Sequence, residues 1–152
     1  AEGYKTASSG NNAGILVNTA GVIIKDLRVE GPNSNSGWDD GEYGIKVYGV
    51  DATLEDVTVT GANAGIQITG ATLTLKGTID VSGNEFGGIE LAKGTNAAEL
   101  DITDATLVNS TEADDAPTAW ADKEFDGTIT GSGLTGRLNQ GTSGNQIYWF
   151  IA

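Results

Sequence analysis

The residues of this chain best suited to chemistry are carboxylates and aromatic rings, and they gather in three short stretches. Trp38, Asp39, Asp40, Glu42 and Tyr43 form the first, Glu85 and Phe86 the second, and Asp114, Asp115 and Trp120 the third. An aromatic ring offers an apolar face to a sugar while acids and amides bond its hydroxyls, and Ca²⁺ takes several hard oxygen ligands. Trp38, Asp39, Asp40, Glu42, Tyr43, Glu85, Phe86 and Trp120 are therefore the candidate ligand-binding residues, and Asp39, Asp40, Asp114 and Asp115 the candidate cation ligands. The competing use of Trp38, Phe86 and Trp120 is structural, as a lid over the flank of the fold with the acids as a solvated rim. Two carboxylates at a suitable separation could also run glycoside hydrolysis, and Asp39-Asp40 is the adjacent acidic pair that sits beside an aromatic in the first stretch.

What the chain lacks narrows the chemistry further. There is no His, Cys or Met among its 152 residues. A Ser-His-Asp triad, a thiolate nucleophile, a zinc finger and a disulfide framework are thereby excluded. Eight Lys and Arg stand against 21 Asp and Glu, a net charge of −13. Phosphate recognition needs clustered cations, so nucleic acid and anionic membranes are not expected partners. No apolar run approaches the roughly 20 residues of a membrane span, and membrane insertion is not expected. No cofactor is required, Ca²⁺ being the one ion the acidic stretches suit. The first residue is Ala rather than Met, and the chain is expected to be part of a longer one.

The elements that must position these residues recur. Gly-Ile steps stand at Gly14-Ile15, Gly44-Ile45, Gly65-Ile66 and Gly88-Ile89, spaced 30, 21 and 23 residues apart. Each is followed by apolar alternation and by a segment such as Val57-Thr58-Val59-Thr60-Gly61 or Ile79-Asp80-Val81-Ser82-Gly83. A period of two assigns inward positions, and all are apolar: Ile45, Val47, Val50, Ala52, Leu54, Val57 and Val59 in the second repeat, and Ile66, Ile68, Ala71, Leu73, Leu75, Ile79 and Val81 in the third. The fourth set continues through Ile89, Leu91, Ala98, Leu100, Ile102, Ala105 and Leu107. Lys46, Gln67, Glu90, Thr53, Thr74 and Asp101 point outward. Three short strands per rung of about 22 residues predict a parallel β-solenoid of four to six rungs.

Over residues 13–109 this pattern resembles the right-handed parallel β-helix, or pectin-lyase-like, superfamily. The resemblance implies an all-β, extracellular, bacterial module of a surface or secreted protein. It leaves the function open among polysaccharide lyases, glycosidases, tailspikes and adhesin stalks. Residues 1–152 then form one domain, with a segment or cap over 1–12, regular rungs over 13–109, and a loop insertion followed by a final rung or cap over 110–152. Enzymes of this superfamily use Ca²⁺-binding acids beside an Arg or Lys, or clustered Asp with His. The chain has only Arg28 and Arg137 as arginines and no His, and no catalytic residue carries over.

Departures from the repeat follow one strand, after Gly31, Gly61, Gly83 and Asn109, which places the long loops on a common edge. Asp26, Asp56 and Asp104 fall at equivalent turns with Gly77 in the third repeat, where Asp is expected to bond turn backbone rather than a cation. The Thr-x-Thr steps do not align into a flat array, which argues against an ice-binding face. Leu16 and Ile23 are apolar at outward positions, and the end Gln146–Ile151 is strongly apolar. The favoured reading is a non-catalytic module that binds a glycan or surface protein through the loop edge. A structural stalk segment and a polysaccharide-degrading enzyme are the alternatives.

Overall fold

The computed structural model describes residues 13–31, 43–139 and 146–152. Within these the chain forms strands and turns without helix. One sheet has seven strands in the order β1 (Ala13–Val17), β3 (Tyr43–Tyr48), β5 (Ala64–Thr69), β7 (Gly87–Ala92), β9 (Ala119–Asp122), β12 (Gln146–Ile151) and β11 (Leu134–Asn139). The other has five, β2 (Val22–Glu30), β4 (Ala52–Thr60), β6 (Thr72–Asp80), β8 (Glu99–Val108) and β10 (Thr128–Thr130). Pairing is parallel throughout except around β12, which runs antiparallel to both β9 and β11.

This arrangement corrects the expected right-handed β-helix with three short strands per rung. The second and third segments of each repeat are one continuous strand, nine residues long in β2, β4 and β6 and ten in β8, and no closed solenoid forms. The physical reason lies at the supposed corner. Asp26 and Asp56 take φ of 52° and 51°, and Gly77 takes 63°, so one left-handed residue bends the strand while pairing resumes beyond it, in register between β2 and β4 and after a one-residue shift between β4 and β6. Lys25 still pairs with Glu55, and Leu27 with Val57, on either side of the bend. Alternation of apolar residues is the same for a bent strand as for two strands with a break.

Between the sheets lies one core, in which Ile45, Leu54, Ile66, Ile68, Leu73, Leu75, Ile79 and Ile89 are fully buried. The fourth repeat differs from the expected register. Leu107 stands opposite Ile79 and Ala105 opposite Gly77, because β8 carries an additional residue near Thr103. Asp104 thus faces Lys76 rather than joining the turn row. Asp56 serves that row structurally, its Oδ1 accepting the Thr78 amide of the next repeat at 2.8 Å. Buried Asn84 ties neighbouring repeats in the same way. Its Nδ2 donates to Val59 O and Val81 O, and its Oδ1 accepts from Ala62 N.

Candidate functional site

The recurring Gly-Ile step creates the site by inverting the alternation. A Cβ at Gly44 would meet Val59 Cγ1 at 2.1 Å, and one at Gly88 would meet Val81 Cγ2 at 2.4 Å. These glycines face the core together with the isoleucines that follow them, and a side chain there has no room. The residue before the glycine is consequently turned to the outer face. That residue in β3 is Tyr43, which joins the outward column of the seven-stranded sheet.

Strand register sets that column in order: Lys46 beside Gln67, Gln67 beside Glu90, Glu90 beside Trp120, and Trp120 beside Tyr148. The Tyr43 hydroxyl donates to Glu90 Oε2 at 2.8 Å and accepts from Gln67 Nε2 at 2.9 Å. Gln67 Oε1 in turn accepts the Thr69 hydroxyl at 3.2 Å. Lys46 Nζ lies 5.4 Å from the centre of the Tyr43 ring and 5.6 Å from that of Tyr48, within cation–π range of both. Ala13, Tyr43, Ala64, Trp120 and Tyr148 close over this array as a second apolar cluster, separate from the main core.

Burial dominates the electrostatics. Desolvation raises the Glu90 carboxyl above its ordinary value, and Asp122 adds to the shift; hydrogen bonds from Tyr43 and Gln67 and the charge of Lys46 oppose it. Tyr43 is pushed strongly upward, by burial first and then by the charge and hydrogen bond of Glu90. Lys46 is lowered by burial, against the pull of Glu90. A phenol, an amide and a carboxyl thus form one buried hydrogen-bonded strip, and the Lys46 ammonium stands between that strip and the open end of the face.

That open end is Tyr48, 55% exposed and in register with Thr69 and then Ala92. A large ring beside small side chains makes an aromatic shelf, with the Lys46 ammonium held against it.

The sequence-derived candidates separate into groups. Trp38, Asp39, Asp40 and Glu42 lie outside the described residues. Tyr43 and Trp120 are brought together, at 6% and 5% exposure, with Trp120 laid over Gly87. Glu85 is exposed and Phe86 half-buried, their amides donating to Ala62 O and Asn63 O. Asp114 and Asp115 are exposed in a turn closed by paired hydrogen bonds between Ala113 and Ala116. Among the described residues no three acidic side chains converge as a metal site would require. Arg28 is engaged with Glu30, its Nε donating to Oε1 at 3.2 Å.

Lys46, Tyr48, Gln67 and Glu90 were not among the candidates. An outward position had implied solvent, yet Lys46 and Gln67 are buried. The available signal was that outward residues of successive Gly-Ile strands must form one column, and that three of them are Lys, Gln and Glu. In comparisons with protein families, curated proteins and solved structures the chain matches none, and nothing there connects it with the pectin-lyase-like superfamily.

Proposed function

We propose that this chain is a binding module that takes a glycan on the outer face of the seven-stranded sheet, with Tyr48 as the stacking platform. The observation that supports the reading is the Tyr48 ring, 55% exposed beside Thr69, with the Lys46 ammonium in cation–π range of it. A sugar ring laid on Tyr48 finds aromatic surface for its C–H face, while the buried polar strip beside it holds Lys46 against that ring. The net charge of −13 favours a neutral or cationic saccharide over a sulfated or uronic one.

The test is binding of the purified chain to an array of neutral, cationic and anionic polysaccharides, with Ca²⁺ and then with EDTA, while the same glycans are assayed for released reducing ends. Binding to neutral or cationic glycans without cleavage, lost in Tyr48→Ala, is the expected result. Silence across the array, or equal binding by Tyr48→Ala, overturns the reading, and new ends would make the protein an enzyme.

A further inference from the structure

The end of the stack formed by β2 is unlike the repeats behind it. Ile23 is 64% exposed and Leu27 41%, and on the neighbouring edge strand β1 Leu16 is 44% exposed. Among the described residues β2 is hydrogen-bonded on one side only, by β4, so the backbone groups of its other side form an edge. Edge strands ordinarily resist further pairing through charged side chains. Four of the nine residues of β2 are charged as well, but their signs balance. Lys25, Asp26, Arg28 and Glu30 sum to zero in a chain whose net charge is −13, so like strands meet at this edge with little repulsion.

We infer that β2 pairs antiparallel with β2 of a second copy about a two-fold axis between Lys25 and Asp26. That register sets Val22 against Val29, Ile23 against Arg28, Ile24 against Leu27 and Lys25 against Asp26, each twice by symmetry. Val22 and Val29, Ile24 and Leu27, and Ile23 and Arg28 then share a face. Val22, Ile24, Leu27 and Val29 lie on the core side, where their repeat equivalents Ala52, Leu54, Val57 and Val59 are buried. Ile23 gains the aliphatic stem of Arg28, and Lys25 gains an opposite charge. The left-handed bend at Asp26 sits at the axis, so both copies bend the same way. Strand β4 shows why β2 is the strand suited to it. Its face pattern is the same, but Glu55 and Asp56 occupy the centre and would oppose like charges. The interface is isologous and closes at two copies.

The full chain should sediment as a monomer–dimer equilibrium, and Lys25→Glu, which places Glu against Asp26, should raise the dissociation constant roughly tenfold or more. The doubly substituted Ile23→Cys/Arg28→Cys chain supplies an independent test, since the protein has no cysteine of its own. Within one chain these positions are roughly 15 Å apart along the strand, beyond the ~7 Å limit for a disulfide, whereas across the proposed axis they are directly opposed. Mild oxidation should therefore yield a covalent dimer on a non-reducing gel. The proposal fails if the unsubstituted chain is monomeric up to about 1 mM, if Lys25→Glu leaves the dimer unchanged while its circular dichroism is native, or if oxidation yields no dimer or an open-ended ladder.

Discussion

The core is closed at one end of the stacked sheets and left partly exposed at the other. At the C-terminal end the chain reverses: β12 runs antiparallel on β9, and β11 antiparallel on β12. This hairpin brings Trp149 and Leu134 against the core beside Phe125 and Ile129, with Phe125 and Trp149 edge to face at 5.5 Å. Leu100 and Ile102, in the last full repeat, are 1% and 2% exposed as a result. At the N-terminal end no described strand pairs beyond β1 and β2. Leu27 occupies the same inward row as Val57 and Ile79 yet remains 41% exposed, and Ile15, Val22 and Ile24 are only partly buried. A parallel stack buries each layer with the next, so its first and last layers need something of a different pattern. The antiparallel hairpin supplies that at one end.

Substitutions in the two ends should therefore differ in cost. The largest loss is expected for Trp120→Ala, which empties the closed side of the outer-face cluster; about 3–5 kcal/mol should disappear from denaturant unfolding. Leu100→Ala should cost about 2–5 kcal/mol, because its cavity is enclosed. Leu27→Ala, the comparable change at the open end, should cost about 1 kcal/mol, since much of that side chain already meets water. If Leu27→Ala proved as damaging as Leu100→Ala, the contrast between the ends would collapse.

A subtler difference is expected from pH. Burial raises the Glu90 carboxyl above its ordinary 4.5, so the native state holds a proton that the unfolded chain releases. The stability tied to that proton is fully present below pH 4.5 and is lost as pH rises through the raised native value. Glu90→Gln keeps an oxygen to accept from Tyr43 and carries no such penalty. It should be more stable than the parent near neutral pH, with the gap closing toward pH 4.5, as urea titrations across pH would show. The smallest effect belongs to the exposed shelf. Tyr48→Ala should change unfolding by no more than about 0.5 kcal/mol while removing the proposed glycan binding.

Much of the core was legible in the residues. Ile45, Val47, Leu54, Val57, Ile66, Ile68, Leu73, Leu75 and Ile89 were placed inward by alternation and are buried. The number of strands was not legible, because a single left-handed Asp bends a strand without altering its apolar pattern. Outward residues were legible as outward but not as buried: Lys46 and Gln67 were expected to face solvent, and the aromatic cluster beside them covers them. Tyr43 and Trp120 were recognised as chemically apt, while their partners Gln67 and Glu90, 24 and 47 residues from Tyr43, were not.

The sequence by itself determined the period of the repeat, the identity of the core rows and the chemistry that the chain cannot perform, because these depend on residue type and local spacing. Only the tertiary structure decided that two sheets form rather than three, that Tyr43, Gln67 and Glu90 share one hydrogen-bonded strip, and that one end is closed by a reversed hairpin while the other, among the described residues, presents an edge. These outcomes depend on cross-strand register and on which surfaces remain after the layers stack, and neither is a property of any single stretch of chain.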